Sequence, residues 1–531
     1  MSKLRKTSVL ALSLTLAMSA LAGCGAPKEE AKGDTAADVK KEGFPIVDKP
    51  LTLKIMSQDA GKADWNTMPA LQEMEKLTGI KMEYQLTPID SFETKKNLVY
   101  TSGNLPDILL AADIRSAEQV NYGEQGILLP LDKYIDEGYA PNIKKLFDEN
   151  PQIRQSFTTP NGHIYSIPFI DLAAVWYRAP LWYNGKHLKK LGMTELPKTT
   201  DELYTYLKRV KDEDANGNGK QDEIPLTSVK LNDIRQYFLS FWGMPGPLHY
   251  ADKAGKVRFA PQEEGYKGYL AFMNRLWNEK LLDHETFSQT EEQKKAKGKN
   301  NQVALANDYF PYFTFGGEPN EDHPMMTLLK SEVVDSPVYG KHPGFSGQGT
   351  LAITSSNANP EASMRWIDYL YSTEGATLFK HGPENLLWKY SDKDTWTKEW
   401  LPVPNGEDRE EYKGKVTPNH GILFPGVNST DLNKGFVNNF ELWVDKQNQE
   451  KLIPYSVNAF PGVYLTNEHQ TEASAIYADV RKYVEQMEAK FVTGQEPLAN
   501  WDKYVAQLKK MGTDRYVELY QGAYDQWASK K

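Results

Sequence analysis

A single cysteine in 531 residues is the scarcest feature of this chain. Cys24 has no intrachain partner, so disulfide scaffolding, Cys-ligated zinc and thiol catalysis drop out together. Histidine is thin as well: the nine are scattered, and no H-E-x-x-H pair offers a zinc site. There is no G-x-S-x-G nucleophile elbow and no phosphate-cradling P-loop. Long apolar runs are missing after Cys24, which leaves nothing there to span a bilayer as a helix. Basic blocks are missing too. With a formal charge of −9 and interspersed lysines, the chain lacks the clustered cations that nucleic acid or an anionic membrane demands. No period of 20–50 residues recurs, so repeat architectures are excluded.

What is present starts at the N-terminus. Lys3, Arg5 and Lys6 precede an apolar run from Val9 to Ala22, short for a membrane span and typical of a secretory signal. Small residues at Ala22 and Gly23 mark a cleavage point before the cysteine. Leu21-Ala22-Gly23-Cys24 resembles the lipobox of bacterial lipoproteins. That resemblance implies a signal peptide at 1–23, a lipidated Cys24 and attachment to the outer face of the cell membrane through lipid alone. From Cys24 to about Pro50 the composition is rich in Lys, Glu, Ala and Gly, which predicts a flexible tether over 24–50.

Order is expected from Leu51. Leu51, Leu53 and Ile55 alternate as in a strand; Pro69 then opens a helix with Leu71, Met74 and Leu77 on one face and Gly79 as its stop. Ile80, Met82, Tyr84 and Leu86 alternate again, a helix runs to about Tyr100, and Ile108–Ala111 is apolar. Strand–helix–strand–helix–strand predicts an α/β fold with a parallel sheet. Ligands of such sheets bind beyond the carboxyl ends of the strands. Loop Ser57–Trp65 and turn Ser102–Asp107 are both expected there, which nominates Asp59 and Asp107 as polar contacts.

A calcium-type loop follows the helix that Thr199 or Thr200 caps. Between Asp212 and Glu223 oxygen donors recur at every second position around Gly217 and Gly219, from side chains at Asp212, Asp214, Asn216, Asn218 and Asp222 and from the backbone at Lys220. Calcium takes six to eight oxygens, and short Asp and Asn side chains on a tight glycine turn can supply them. Two frames fit: one starts at Asp212 and ends at Glu223, the other starts at Asp214 with Gly219 sixth.

Several ordered motifs carry a family resemblance. Asn161-Gly162-His163-Ile164-Tyr165-Ser166-Ile167-Pro168, Leu181-Trp182-Tyr183-Asn184, Pro197-Lys198-Thr199-Thr200-Asp201-Glu202-Leu203 and Pro360-Glu361-Ala362 through Trp366-Ile367-Asp368-Tyr369-Leu370-Tyr371-Ser372 resemble segments of bacterial extracellular solute-binding proteins, family 1. Asp214 through Ile224-Pro225 resembles the calcium loop of the large oligosaccharide-binding members, including those that bind alginate. The resemblance implies a structural calcium held by Asp214, Asn216, Asn218, Lys220 (backbone carbonyl), Asp222 and Glu223. It also implies a two-lobed, periplasmic-binding-protein-like fold of type II whose hinge crossings flank an interlobe cleft. The expected division gives 51–168 with about 345–395 to the first lobe, and 169–344 with about 396–531 to the second.

The function so implied is a monomeric, membrane-anchored binder that captures an oligosaccharide and passes it to the permease of an ATP-driven importer. Sugars present flat apolar faces ringed by hydroxyls, which suit aromatic stacking. The stacking candidates are Trp65, Trp176, Trp242 and Trp388; for Trp242, in the aromatic turn Tyr237–Pro245, core burial competes with a cleft position. Asn385 departs from the family pattern around Glu384, so only Trp388 is carried forward there. Two alternatives remain: the same fold with a peptide cargo, or a cell-surface polysaccharide-degrading enzyme, since Asp and Glu abound and glycosidases need two carboxylates across a cleft.

Overall fold

The structure, a computed structural model, describes residues 37–173, 180–341 and 343–529. The signal, Cys24, the tether up to Ala36 and Trp176 lie outside the described residues. Nine strands build two sheets: β1 (Leu51–Asp59), β2 (Ile80–Pro88), β3 (Ile108–Ile114), β4 (Ile167–Asp171), β5 (Leu181–Tyr183), β6 (Ile224–Leu226), β7 (Val303–Asn307), β8 (Phe345–Ile353) and β9 (Val427–Asn428).

The first sheet runs β9-β4-β8-β3-β1-β2. As the alternating pattern predicts, β2, β1 and β3 are parallel, with Leu53 beside Met82 and Ile55 beside Ile108. β8 inserts antiparallel between β3 and β4, and β9 lies parallel to β4 at the edge. Pro69 opens the helix Pro69–Thr78, and Gly79, at φ 74°, closes it in the left-handed conformation that an L side chain resists. That helix buries Leu71 and Met74 against Leu53, Ile55 and Ile80. Each such side chain is worth about 1.5–3 kcal/mol in area removed from water. Helices Pro141–Glu149 and Pro360–Tyr369 add Ile143, Phe147, Trp366 and Ile367 to the same core.

The second sheet is β5-β7-β6, with β5 antiparallel and β6 parallel to β7. It packs with helices Thr200–Asp212, Glu264–Asn278 and Asn467–Thr493 into a separate core. Within that core the buried Glu488 carboxylate takes Nε of Arg235 at 2.8 Å and the hydroxyl of Tyr269 at 3.0 Å. A buried charge persists only when paired in this way.

The chain is bilobed, with the largest core of each lobe separate from the other, and among the described residues it passes between these two cores at three places: Ile170 to Leu181, Tyr339 to Phe345, and Leu432 to Phe440. Two expectations need correction. Residues 37–50 are not tether: Ile46 and Val47 are buried in the first core, Ile46 N–H donates to the Thr78 carbonyl at 2.8 Å, and the Arg365 guanidinium donates to the carbonyls of Lys40 and Gly43. A polar stretch can be ordered when a distant Arg satisfies its carbonyls, and composition does not report that. The stretch 396–435, assigned above to the second lobe, instead places Ile422, Phe424, Val427 and Leu432 in the first core. Its strand is two residues long, too short to show a period. Among the described residues no helix is long and apolar enough to cross a membrane.

Candidate functional site

Strand direction decides which sheet edges face each other. The first crossing leaves the carboxyl end of β4, the second enters the amino end of antiparallel β8, and the third follows the carboxyl end of β9. All three therefore lie on one edge of the first sheet, the edge where parallel strands end. In the second lobe the first crossing enters at Leu181, which sits beside Asn307 at the carboxyl end of β7. Each lobe thus presents the carboxyl edge of its sheet where the crossings run.

The first-lobe edge is polar. Asp59 ends β1, and its Oδ1 accepts the indole N–H of Trp65 at 3.1 Å. Asp171 ends β4 and accepts the Asn428 amide at 2.8 Å; Lys380 Nζ donates to Asn428 and Asn433, each at 3.2 Å. Burial, reinforced by neighbouring Lys413, pushes the Lys380 ammonium down to about 8. Asp113, near the end of β3, is exposed and faces the side-chain amide of Gln348 on β8.

The second-lobe edge is aromatic. After Asn307, Asp308 accepts the backbone N–H of Tyr309 and the hydroxyl of Thr314, both at 2.8 Å. These bonds shape the entry to the helix Pro311–Phe315. Tyr309 stands 50% exposed and Phe313 40% exposed, a cost to the fold that a ligand's apolar face would offset. Phe313 is braced edge-on by Tyr312 and Phe310, with ring centroids at 4.7 and 5.5 Å.

The sequence-derived contacts fare unevenly. Asp59 stands at the cleft edge. Trp65 is brought beside it, but only 2% of its surface is exposed, and Tyr84 and Phe424 cover its ring. Trp242 is buried among Phe241, Tyr269 and Phe272. Gly268 makes room for it, because a Cβ there would lie 2.5 Å from the indole nitrogen. Trp388 is buried with Tyr390 and Phe436, and its N–H donates to the Gly382 carbonyl at 2.8 Å. None of these three rings has a free face to stack on a sugar. Asp107 precedes β3 and so stands at the opposite, amino edge, where its carboxylate accepts the Lys54 N–H at 2.7 Å. A turn that follows a helix leads into a strand, and the earlier assignment of Ser102–Asp107 to a carboxyl end had this reversed. The residues that were missed, Tyr309 and Phe313, do carry a signal: the run Asn307-Asp308-Tyr309-Phe310-Pro311-Tyr312-Phe313 directly follows an apolar strand.

The oxygen-rich loop lies between the helix Thr200–Asp212 and β6. It closes on Asp214: Oδ1 accepts the N–H groups of Asn218 at 3.0 Å and Gly219 at 3.2 Å, while Asp212 is an exposed helical residue. Asn216 and Asn218 amides donate to Asp222 at 2.8 and 2.9 Å and hold its carboxyl below the usual range. Gly217 and Gly219 both take φ above 70°. Glu223 Oε2 is buried without a hydrogen-bond partner among the described residues, as expected of an oxygen aimed at a cation. Among the described residues no three His, Cys, Asp or Glu side chains converge as a metal set by themselves. The Asn216 and Asn218 side-chain oxygens accept the N–H groups of Asn218 at 3.0 Å and Lys220 at 2.7 Å, so carboxylates and Asn side chains together close the turn.

Residues 64–377 match the sequence model of the bacterial extracellular solute-binding protein family. The chain belongs to that family. It is a solute binder and not an enzyme. Over its whole length it is 29% identical to the fructooligosaccharide ABC transporter substrate-binding protein FusA of Streptococcus pneumoniae, all of which is covered. It is 23% identical to the polygalacturonan/rhamnogalacturonan-binding protein YtcQ of Bacillus subtilis, with 98% of this chain and 99% of that one aligned. The solved structure of FusA with kestose superposes at a TM-score of 0.72 and 26% identity, covering 90% of this chain and all of that one. An EF-hand mutant of FusA, solved with fructo-nystose, superposes at 0.73 and 27% identity with the same coverage.

Proposed function

We propose that this protein captures a neutral oligosaccharide of the fructooligosaccharide type between its lobes and delivers it to the permease of an ABC importer. One observation carries the reading: exposed Tyr309 and Phe313 follow the carboxyl end of β7, and Asp59, Asp113 and Asp171–Asn428 lie at the carboxyl edge of the first sheet, the two edges that the crossings connect. Aromatic faces stack on sugar rings, and carboxylates accept sugar hydroxyls. Binding both lobes favours the closed arrangement by the ligand's differential affinity. Full-length similarity to FusA supports the same cargo class. The aspartates disfavour acidic galacturonan fragments, because an added carboxylate would meet like charge.

In this reading the Asp214 loop holds a structural calcium through Asp214, Asn216, Asn218, Asp222, Glu223 and the Lys220 carbonyl. Cys24 carries the lipid that keeps the protein at the outer membrane face. One acyl chain binds a membrane only marginally, so at least two are required for stable anchoring. A Cys24→Ala change should release the protein into the medium with its sugar affinity intact.

The test is calorimetric titration of the purified protein with kestose, galacturonan oligomers and short peptides. Saturable heat with kestose alone is expected. Saturation by galacturonan or peptide with silence for kestose would overturn the cargo assignment.

A further inference from the structure

The carboxyl end of β3 departs from strand geometry in a way that packing alone does not require. Its parallel ladder with β1 stops at Ser57 beside Leu110. The next residues, Ala111 and Asp113, both take left-handed φ, at 48° and 52°, although neither is glycine. On the other side the pairing with β8 jumps from Leu351–Leu110 to Gly349–Ile114, so β3 bulges outward over these residues. Bulges of this kind re-aim side chains, and held backbone strain clusters at functional sites.

Three successive carbonyls freed by the bulge are captured by side chains. Gln58 Nε2 donates to Ala111 O at 2.7 Å, and Lys96 Nζ donates to Ala112 O at 3.0 Å and Asp113 O at 3.2 Å. Lys96 is completely buried, with the Glu118 carboxylate 2.9 Å from its ammonium. A buried ammonium is costly, and an apolar side chain would have filled the same space. What the ammonium adds is a grip on the bulge. The result of that grip is that Asp113 stands exposed on the cleft edge, opposite Gln348.

We infer that Asp113 is a ligand-contacting residue that accepts a saccharide hydroxyl, and that Lys96 and Gln58 are the positioning residues that hold its backbone for that contact. This rests on the carbohydrate reading above. Gln348, whose side-chain amide faces the same carboxylate, leaves lone pairs on Asp113 for a sugar O–H. No bond is made or broken; the ligand exchanges water for a pre-aimed acceptor.

The experiment is a double-mutant cycle read by kestose affinity. Asp113→Ala should weaken binding about tenfold, roughly 1.4 kcal/mol, with little change in melting temperature. Lys96→Met should weaken binding by a similar factor in the wild-type background and by less than about twofold when Asp113 is already Ala. Gln58→Ala replaces Lys96→Met in the same cycle if the latter fails to fold. An Asp113→Ala protein that binds as wild type, or a Lys96 or Gln58 loss that persists in full without Asp113, overturns the inference while leaving the sugar-binding function standing. Absence of saccharide binding by the wild-type protein overturns both.

Discussion

The hydroxyl of Tyr464 donates to Oε1 of Gln119 at 2.7 Å, joining the two lobes outside the three chain crossings. Tyr464 leads into the long second-lobe helix Asn467–Thr493, and Gln119 sits on the first-lobe helix Ser116–Glu124 that follows β3. Gln119 is 1% exposed, and its amide donates to the Ile114 carbonyl at the end of β3. The end of β3 and the lobe contact therefore share one side chain.

Removing that link should loosen the lobes. Tyr464→Phe leaves a buried amide oxygen unpaired, at a cost of about 1–3 kcal/mol. A lower melting temperature and a larger radius of gyration in solution scattering of the unliganded protein are expected. Scattering and melting curves identical to wild type would refute the link.

Tyr309 and Phe313 separate binding from stability. Because both rings are only half-buried, Tyr309→Ala and Phe313→Ala should cost no more than about 1 kcal/mol of stability. Each should weaken kestose binding by about 1–2 kcal/mol, five- to thirtyfold. Trp242→Phe and Trp388→Phe should do the reverse, lowering stability and sparing affinity. Titration paired with denaturant melts reads both.

Calcium removal tests the loop. A chelator should lower the melting temperature, since loss of a ligand that binds only the folded state removes its linkage stabilisation. Kestose affinity measured at a temperature below that transition should stay the same, because the loop enters β6 at its amino end, opposite the carboxyl edge that leads to Tyr309 and Phe313. Glu223→Gln should melt early and no longer respond to chelator.

Asp368 supplies a pH signature. From the helix Pro360–Tyr369 it accepts the N–H groups of Ile143 at 2.8 Å and Asn142 at 3.3 Å, capping the helix Pro141–Glu149 across the first core. Burial, outweighing these donors, pushes its carboxyl up from 3.8 to about 6. Between those values the folded state binds a proton that the unfolded state releases. This group's contribution to stability is therefore full below pH 3.8 and declines as pH rises to 6. Asp368→Asn should remove that decline, seen as a wild-type-minus-mutant stability difference that falls between pH 4 and 6 and flattens above.

Much of this protein can be read from local order. The alternation Leu51-Leu53-Ile55, the Pro69 and Gly79 helix limits and the Asp/Asn/Gly spacing of the calcium-type loop act through neighbours a few residues away, so they appear in the sequence. The ordered motifs likewise predicted a solute binder before any geometry. What local order could not express was the fate of side chains whose neighbours are hundreds of residues distant. Trp65 and Trp242 looked like sugar platforms because an aromatic ring's type is visible and its cover is not; Phe424 and Phe272 supply that cover. Asp107 was placed on the wrong edge because direction along a sheet is set by the whole strand–helix succession. The exposure of Tyr309 and Phe313, the capture of the β3 bulge by Lys96 and the inclusion of Val427 in the first sheet were decided only in the tertiary structure. The physical reason is the same in each case: period reports which face of an element is apolar, whereas burial and aim depend on what the rest of the chain packs against that face.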